Sequence, residues 1–335
     1  MISKLLSTLM LGQLLVFSSV EPCTRIFWND NDQARLVART MDLFISDEPQ
    51  MWVHPRGLHH ESLIDENGLK WDSFYGNVVI SAFHHKDVIT DGMNEQGFAA
   101  HVLALRATQY EKRDDRPGIH YGEWVQYLLD TCQTVEEAVA AHQRFQVLPT
   151  AINNFVWPLH LMLEDATGDS AIIEFVEGKM QVYHDRHYRI GTNDPVYDQQ
   201  LKNWSHFEEG TPLPSGADAV SRFIRASSYL NHLPKPENSD AAITSLKNAI
   251  TQVFQNNQIP VNFMGKIHRV TTFWTVIQDL THRKYYFFPT NQKEGLLIDF
   301  AKMDFEGPAS EVMNLLNPSI SEKDQNLCAP CLKNR

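Results

Sequence analysis

The chain has 335 residues and a formal net charge of −12, from 29 Lys and Arg against 41 Asp and Glu. This acidic balance argues against nucleic acid as a partner, because a nucleic-acid-binding surface needs clustered basic side chains. Hydrophobic residues at 43% and charged residues at 21% are typical of a globular protein rather than a disordered one. No apolar stretch after residue 22 is long enough to span a bilayer, so membrane insertion is not expected.

The N-terminal segment has the pattern of a secretory signal peptide. Lys4 precedes an apolar run over residues 5–17, and two small serines follow. The alternative, an apolar first helix packed in the core, is disfavoured by the Glu21-Pro22 dipeptide soon after the run. We therefore expect residues 1–22 to be a signal peptide with a short propeptide, and the protein to be exported to the periplasm or secreted.

Strand patterns dominate the next part of the chain. Residues 24–28 and 36–42 are rich in β-branched and aromatic side chains, and the turn residues between them predict that the two strands pair. Further strands are predicted at 51–54, 77–83 and 97–105. The turn-forming sequences at 91–92 and 94–97 predict a hairpin that joins the last two of these strands.

Helices and a second group of strands complete the predicted elements. Helical spacing is present at 121–129, and Thr134 with Glu137 fits a capping box that opens a second helix through about residue 144. The other predicted elements are strands at 159–164, 171–176, 180–183, 270–277, 284–288 and 296–300, and helices at 218–230 and 241–254. Strands come in groups rather than alternating singly with helices, which predicts antiparallel sheets covered by helices, an α+β fold. Without a convincing linker or repeat, residues 23–335 are expected to form a single domain.

Three of the four cysteines favour ordinary structural roles. Cys328 and Cys331 form a CxxC pair, which in an exported protein is either a small disulfide loop or a pair of reduced thiols. Zinc is disfavoured because the pair has no second pair and no nearby histidine. Cys132 lies in an apolar helical stretch and is expected to be a buried small hydrophobic residue.

Cys23 follows the removable segment and opens the first predicted strand. If cleavage frees its α-amino group, one residue carries both a thiol nucleophile, with a reference pKa of about 8.5, and an amine base near 7.7–8.0. A signal-peptidase cut after Ser18 leaves residues 19–22 to be trimmed, so a second cut is predicted, one that the protein itself is able to perform. The alternatives are a structural thiol, a disulfide partner, or a lipid-modified cysteine, for which Glu21 and Pro22 stand where small residues are needed.

Five short motifs, one of them beginning at Cys23, carry a resemblance to a known family. They are Cys23-Thr24-Arg25, Ala38-Arg39-Thr40-Met41-Asp42, Asp91-Gly92-Met93-Asn94-Glu95-Gln96-Gly97, Gly191-Thr192-Asn193-Asp194-Pro195 and Ser221-Arg222-Phe223-Ile224-Arg225. In order and spacing they resemble the choloylglycine hydrolases, a family of bile salt hydrolases and penicillin V acylases. The resemblance implies an N-terminal-nucleophile (Ntn) hydrolase fold, a four-layer αββα sandwich of two antiparallel sheets. It also implies a homo-oligomer, often a tetramer in relatives, and no cofactor or metal.

The resemblance implies that Arg39 and Asp42 lie beside Cys23. A guanidinium there favours the thiolate, and a carboxylate holds the α-amine. Their i, i+3 spacing on one strand would place them on opposite faces, so a bend or strand end is needed for both to reach Cys23. Taken in isolation, the pair is typical of a surface ion pair.

Three further residues are implied for the catalytic site. Asn193, in a turn at a strand end, corresponds to the side-chain amide that donates to the oxyanion. The second donor is a backbone N–H that falls on Ala104, where relatives carry Asn, Tyr or Trp, so the side chain that shapes the substrate pocket differs here. Arg222 corresponds to the remaining active-site arginine, and its alternative is a helix-surface arginine.

Aromatic residues near the first strands are candidates for an apolar acyl pocket or for the core. They are Phe44, Trp52, Trp71, Phe74 and Phe83. The histidines at 54, 59, 60, 84 and 85 lack the spacing of a metal motif and are not expected to hold a metal.

The sequence thus predicts an exported amidohydrolase that cleaves linear, non-peptide amides of small-molecule substrates through a thioester, similar to penicillin V acylase. The alternatives within this chemistry are hydrolysis of conjugated bile salts and hydrolysis of the acyl amide of acyl-homoserine lactones. Two alternatives of another class are a catalytically silent binding protein on the same fold and a disulfide-stapled structural domain of the periplasm.

Overall fold

Two large antiparallel sheets form the centre of the protein, as seen in a computed structural model that describes residues 22–151, 155–263, 266–292, 295–314 and 329–331. The first ten strands are β1 (Thr24–Trp28), β2 (Leu36–Leu43), β3 (Gln50–His54), β4 (His59–Glu61), β5 (Lys70–Asp72), β6 (Asn77–Ala82), β7 (His85–Asn94), β8 (Ala99–Ala104), β9 (Gly118–His120) and β10 (Gln146–Leu148). The others are β11 (Leu159–Glu164), β12 (Ser170–Val176), β13 (Lys179–His184), β14 (Ile190–Gly191), β15 (Asn256–Phe263), β16 (Lys266–Asp279), β17 (Lys284–Pro289), β18 (Gly295–Asp299), β19 (Ser310–Asn314) and β20 (Ala329–Cys331).

Each large sheet has eight strands. The first has the order β14-β1-β2-β16-β17-β18-β20, with β15 also paired to β16. The second has the order β13-β12-β11-β8-β7-β6-β3-β19. Two small two-stranded sheets, β4-β5 and β9-β10, lie outside them.

Helices cover the outer face of each sheet. The helices are α1 (Trp124–Thr131), α2 (Val135–Ala141), α3 (Tyr197–Ser205), α4 (Ala219–Asn231) and α5 (Ser239–Thr251), with short 3-10 turns at Tyr121–Glu123 and Phe300–Lys302. The first two pack on the second sheet, whereas α4 and α5 pack on β1 and β2 of the first sheet. The predicted four-layer αββα arrangement of antiparallel sheets is therefore confirmed.

Strand β6 shows why the layers hold together. Val78 and Ile80 belong to the core between the two sheets, and Val79 between them packs in the core under α1. All six residues of β6 are buried, because a sheet covered on both faces has no polar side to expose. Burying one such aliphatic side chain contributes roughly 1.5–3 kcal/mol.

The hairpin turn predicted at residues 91–92 is wrong, because these residues lie inside strand β7. The sequence Asp91-Gly92 is not a turn but lies inside β7, which pairs with both β6 and β8. The turns are at Phe83–His84, both with positive φ, and at Gly97. The strand was missed because it begins with exposed or half-exposed polar residues and carries a glycine where α1 approaches closely.

The helices match the predictions with two differences. Helix α3 was missed because most of its nine residues are polar, so its sequence carries no apolar run. At α2, Thr134 Oγ1 accepts from the Glu137 N–H, but the Glu137 carboxylate accepts from the Gln133 N–H instead of returning to Thr134. Only half of the predicted capping box is therefore formed.

The predicted signal peptide and propeptide fall outside the described residues except for Pro22, and so does Cys328 of the CxxC pair. Among the residues that are described, no helix is long and apolar enough to cross a membrane.

Candidate active site

Cys23 lies directly before β1, the second strand of the first sheet. Strand β1 pairs with β14 on one side and with β2 on the other, so the residue is 3% exposed. Its Sγ lies 4.0 Å from the backbone oxygen of Asp42. The nucleophile predicted from the sequence is thus held by two neighbouring strands.

A pocket of about 530 Å³, including space open to solvent, has Cys23 in its wall. Its lining is mostly apolar and includes Met41, Leu43, Phe83, Val88, Ile89, Tyr121, Trp157 and Leu159. Phe83 stacks on Trp157 with their ring centres 5.3 Å apart. The polar members are few, as in ligand sites generally, and include Arg39 and Asp47.

Of the five aromatic residues predicted for the pocket, the structure brings only Phe83 to it. Trp52 and Trp71 line a different pocket, beside three histidines. Phe44 packs in a small cluster with two valines, and Phe74 is 67% exposed. Trp52 and Trp71 lie on strands, and an aromatic residue on a strand does not itself indicate which layer its face meets. Phe44 and Phe74 lie outside the strands, so strand alternation does not orient them.

Asp42 is a fully buried carboxylate held by two hydroxyls. Thr40 donates to its Oδ2 at 2.8 Å, and Thr272 donates to Oδ1. Burial raises the pKa of Asp42 to about 6, although Arg222 and the two hydroxyls oppose this shift. The two hydroxyls fix the orientation of the Asp42 carboxylate.

Arg39 reaches the pocket from the same strand as Asp42. Its guanidinium lies 4.7 Å from the centre of the Trp274 ring, and its Nη2 donates to the Val102 oxygen at 3.2 Å. Pairing between β2 and β16 shifts by one residue between Thr272 and Trp274, opposite Asp42. The extra residue lies in β16, and β2 keeps its alternation: Arg39 shares a face with Met41, and Asp42 shares the opposite face with Thr40. The two side chains thus reach the site from opposite faces of β2, and the predicted bend between them is not present.

Asn193 and Ala104 meet at the same point of the site. The Asn193 Nδ2 donates to the Ala104 oxygen at 2.7 Å, and Arg222 Nη2 donates to the Asn193 Oδ1 at 2.8 Å. Because the arginine can only donate, this contact fixes which end of the amide is the oxygen. The second Nδ2 hydrogen is not needed for either contact.

Arg222 is a buried arginine, not one on a helix surface. Its Nη1 donates to the Cys23 oxygen and to the Thr24 Oγ1, both at 2.6 Å. Burial lowers its pKa to about 10, while Asp42 and Cys23 favour its charged form. Cys23, Arg39, Asp42, Asn193, Ala104 and Arg222, all predicted from the sequence, thus lie in one connected site.

Comparison with known proteins agrees with this arrangement. The family described as linear amide C-N hydrolases, choloylglycine hydrolase family, matches residues 23–311 of the chain. The chain belongs to the choloylglycine hydrolase family. It is therefore a hydrolase of carbon-nitrogen bonds in linear amides, and the resemblance inferred from the motifs is confirmed.

The chain is similar over most of its length to individual members of the family. The chain is 32% identical to a penicillin V acylase of Pectobacterium atrosepticum, over 84% of this chain and 82% of that protein. It is 24% identical to a bile salt hydrolase/transferase of Clostridium perfringens, over 55% and 57% of the two chains. The solved penicillin V acylase of Agrobacterium tumefaciens superimposes with a TM-score of 0.77 at 35% identity, covering 89% of this chain and 94% of that one. The Ntn-hydrolase fold predicted from the motifs is that of these relatives.

Several residues of this choloylglycine hydrolase site were not found from the sequence. Thr272 is 230 positions from Asp42, and Trp157 lies in a loop far from Cys23 in the chain. Asp47 lines the pocket with both oxygens 3.0 Å from the Trp274 indole N–H, and burial raises its pKa to about 6. No motif marks these positions. Only Thr40 had a signal, because residues two apart on a strand share a face.

The choloylglycine hydrolase was not expected to bind metal. Within the part of the chain that the structure describes, no group of three or more His, Cys, Asp or Glu side chains is placed to hold a metal ion. Cys132 is buried, and burial raises the pKa of its thiol to about 11.

Proposed function

We propose that this chain is an exported N-terminal-cysteine amidohydrolase that cleaves linear, non-peptide amides through a thioester. The observation that supports this most is that Asp42 and Arg222 both contact Cys23, directly before β1 and next to an apolar pocket. A structural cysteine needs neither a buried charged pair nor a pocket.

The first proposed step makes the catalyst. Water hydrolyses the peptide bond between Pro22 and Cys23, which leaves a carboxylate on Pro22 and an α-amine on Cys23. The Asp42 carboxylate then orients this amine, and the contact of Arg222 with the Cys23 oxygen keeps the residue in place. Export places the chain where a signal peptidase removes the segment further upstream.

The second step forms the thioester. The Cys23 Sγ attacks the substrate carbonyl carbon while the α-amine takes the thiol proton. The oxyanion of the tetrahedral intermediate receives hydrogen bonds from the Asn193 Nδ2 and the Ala104 N–H. The C–N bond breaks, the leaving amine takes the proton from the α-ammonium, and the acyl group stays on sulfur.

The third step restores the enzyme. Water attacks the thioester carbonyl and gives a proton to the α-amine. The same two donors hold the second oxyanion, the C–S bond breaks, and the thiolate regains the proton. The products are a free acid and an amine, and no cofactor or metal takes part.

The pocket favours an apolar acyl group. Apart from Cys23, Arg39, Asp47 and Thr90, the side chains in its wall are apolar or aromatic, and Phe83 stacked on Trp157 gives it a flat aromatic surface. With the similarity to penicillin V acylases, this supports phenoxyacetyl or fatty-acyl amides as substrates. Conjugated bile salts are the second candidate, supported by the bile salt hydrolase relative, and acyl-homoserine lactones fall within the fatty-acyl class.

The test is a substrate panel with wild type and Cys23→Ser. Penicillin V, glycocholate and short- and long-chain acyl-homoserine lactones are incubated with each, and the released amine is measured. We expect turnover of the penicillin or a lactone by wild type and a loss of at least about 100-fold in the variant, since hydroxyl is the weaker nucleophile. Equal rates for the two proteins would remove Cys23 from the chemistry, and no turnover of any substrate would favour a silent binding protein.

Processing is tested separately by intact mass. Protein recovered from the periplasm or medium is expected to begin at Cys23, and Cys23→Ala to retain residues upstream of it. A mature, active chain that still begins before Cys23 contradicts the mechanism, because no free amine then neighbours the thiol.

A further inference from the structure

Behind Arg39, a chain of charged side chains crosses the interface between the two sheets. Arg25 and Arg39 extend from the first sheet, and Asp91, His101 and Glu164 from the second. Every one of the five is at most 1% exposed. Burying charges is costly unless they are paired, so such a chain needs a reason beyond stability.

His101 is the centre of this chain. Its Nδ1 lies 2.7 Å from the Asp91 Oδ2, and its Nε2 lies 2.9 Å from the Glu164 Oε2. A carboxylate only accepts hydrogen bonds, and a neutral imidazole has one N–H. Both contacts are therefore satisfied together when the ring is an imidazolium that donates to each side.

Asp91 and Glu164 connect His101 to side chains of the first sheet. Glu164 also accepts from Arg25. The Asp91 Oδ2 that faces His101 lies 3.9 Å from the Arg39 Nε, and its Oδ1 accepts from Tyr285 and, at 2.9 Å, from Gln278. Asp91 is thus fixed on every side, and Arg39 rests against it at the pocket wall.

We propose that His101 is a positioning residue, which as an imidazolium holds Asp91 in place and through it keeps the Arg39 guanidinium at the Cys23 pocket. This rests on the proposed role of Arg39 in favouring the Cys23 thiolate. Without His101, the buried carboxylates of Asp91 and Glu164 face each other across its position. We expect the Asp91 side chain to reorient towards another hydrogen-bond donor, and the Arg39 guanidinium to be displaced with it.

The pH dependence follows from the groups that face the imidazole. They are Asp91 on β7, Glu164 on β11, and behind them Arg25, Arg39 and Tyr285 on the first sheet. Burial disfavours the charged ring, but the two carboxylates outweigh it and raise the pKa of His101 to about 9. The positioning effect is therefore complete at neutral pH and is lost as the pH passes about 9.

The experiment measures the Cys23 thiol directly. Mature wild type and His101→Gln are alkylated with iodoacetamide from pH 5 to pH 10, and the Cys23 peptide is followed by mass spectrometry. We expect the alkylation midpoint of the variant to lie about one pH unit higher, a roughly tenfold smaller thiolate fraction at pH 7. In turnover assays, kcat is expected to fall by a similar factor with a smaller change in KM, and the loss of wild-type activity near pH 9 to be absent from the variant.

The matched control is His142→Gln. His142 is also fully buried and accepts from the Trp124 indole N–H, but it lies in the α1–α2 layer without a carboxylate partner. It is expected to lose stability while keeping the wild-type alkylation midpoint. An unchanged midpoint in a folded His101→Gln protein, or an equal shift in His142→Gln, overturns the proposal.

Glu164→Gln decides the question if His101→Gln does not fold. It removes one of the two carboxylates that raise the pKa of His101, so the alkaline loss of kcat is expected to move below pH 9. An unmoved alkaline limb contradicts the proposal. Because alkylation needs no substrate, a failed substrate panel with a shifted midpoint would reject the proposed function and leave the role of His101 standing.

Discussion

At the scale of single residues, the site consists of polar groups that the fold holds in fixed directions. The Asn193 amide illustrates this, because its oxygen accepts a hydrogen bond from Arg222 and one of its two N–H groups donates to the Ala104 carbonyl. One hydrogen then remains to donate to an oxyanion. A preorganised donor of this kind costs no reorientation when charge develops on the substrate.

Asn193→Ala is expected to lower kcat by about 10²–10³ and to leave KM nearly unchanged, since the lost bond forms in the transition state. Steady-state kinetics on the best substrate of the panel measures this. The variant also leaves Arg222 without one acceptor, so it is expected to lose about 1–3 kcal/mol of unfolding free energy. A normal kcat in the folded variant contradicts the assigned role.

The raised pKa of Asp42 predicts a change of stability with pH. Its folded pKa of about 6 lies above the ordinary value of 3.8. The group therefore contributes stability that is complete below pH 3.8 and is lost as the pH rises through 6, a change of about 3 kcal/mol at most. In a Cys23→Ala background, which keeps the amine out of the site, Asp42→Asn is expected to remove this part of the pH dependence. Urea unfolding at pH 4 and pH 7 tests it, and parallel curves for parent and variant contradict it.

The sequence predicted the residues of the site better than the walls of its pocket. Cys23, Arg39 and Asn193 lie in motifs, because their chemistry constrains the local sequence. Thr272 and Trp157 carry no such mark, since their contribution depends only on which strands and loops become neighbours in space. The direction of the Trp52 side chain depends on which face of β3 meets each layer, and that of Phe83 depends on the turn between β6 and β7.

At the scale of elements, glycine decides how closely a helix approaches a strand. A Cβ on Gly92, inside β7, would lie 2.6 Å from the Leu129 Cδ1 of α1 and 2.9 Å from the Val79 Cγ1. The same residue appears in the sequence as part of a turn signal. The prediction of a hairpin there was wrong because the glycine serves packing and not a positive φ.

Gly92→Ala is expected to lower the free energy of unfolding by about 1–3 kcal/mol through overpacking. The effect is measured by denaturant unfolding. In a Leu129→Ala background the same substitution is expected to cost less, because the nearest atom has been removed. Equal costs in both backgrounds would show that the Leu129 contact is not the cause.

Strands were predicted where a short run with strand-forming residues lies between turns, whether it is buried like β1 and β11 or partly exposed like β13. β1 and β11 have the bounds expected from the sequence. β7 begins in polar residues at the molecular surface, so its first half has no apolar pattern.

At the scale of the whole molecule, the layered fold buries ionisable groups between its two sheets. The four-layer order was predictable from the grouping of strands and helices and from the motifs. The charged chain around His101 was not, because its members come from five separate strands and meet only after the sheets stack.

The buried charged residues around His101 predict how the free energy of unfolding changes at alkaline pH. The folded pKa of His101, about 9, lies above its ordinary value of 6.5. Its contribution to stability is complete below pH 6.5 and is lost as the pH rises to about 9. Thermal or urea unfolding of wild type is expected to show this decline between pH 7 and pH 9.5, and His101→Gln to lack it. A decline of equal size in both proteins would assign it to other groups.

The contact between Arg222 and the Cys23 oxygen has a consequence for motion. The first and last residues of most domains fray because nothing holds them. Here Arg222, on α4, donates a hydrogen bond to the backbone oxygen of Cys23, the residue directly before β1. If the chain is cut before Cys23 as proposed, the new terminus is one whose carbonyl is already hydrogen-bonded, so this chain end is expected to stay ordered.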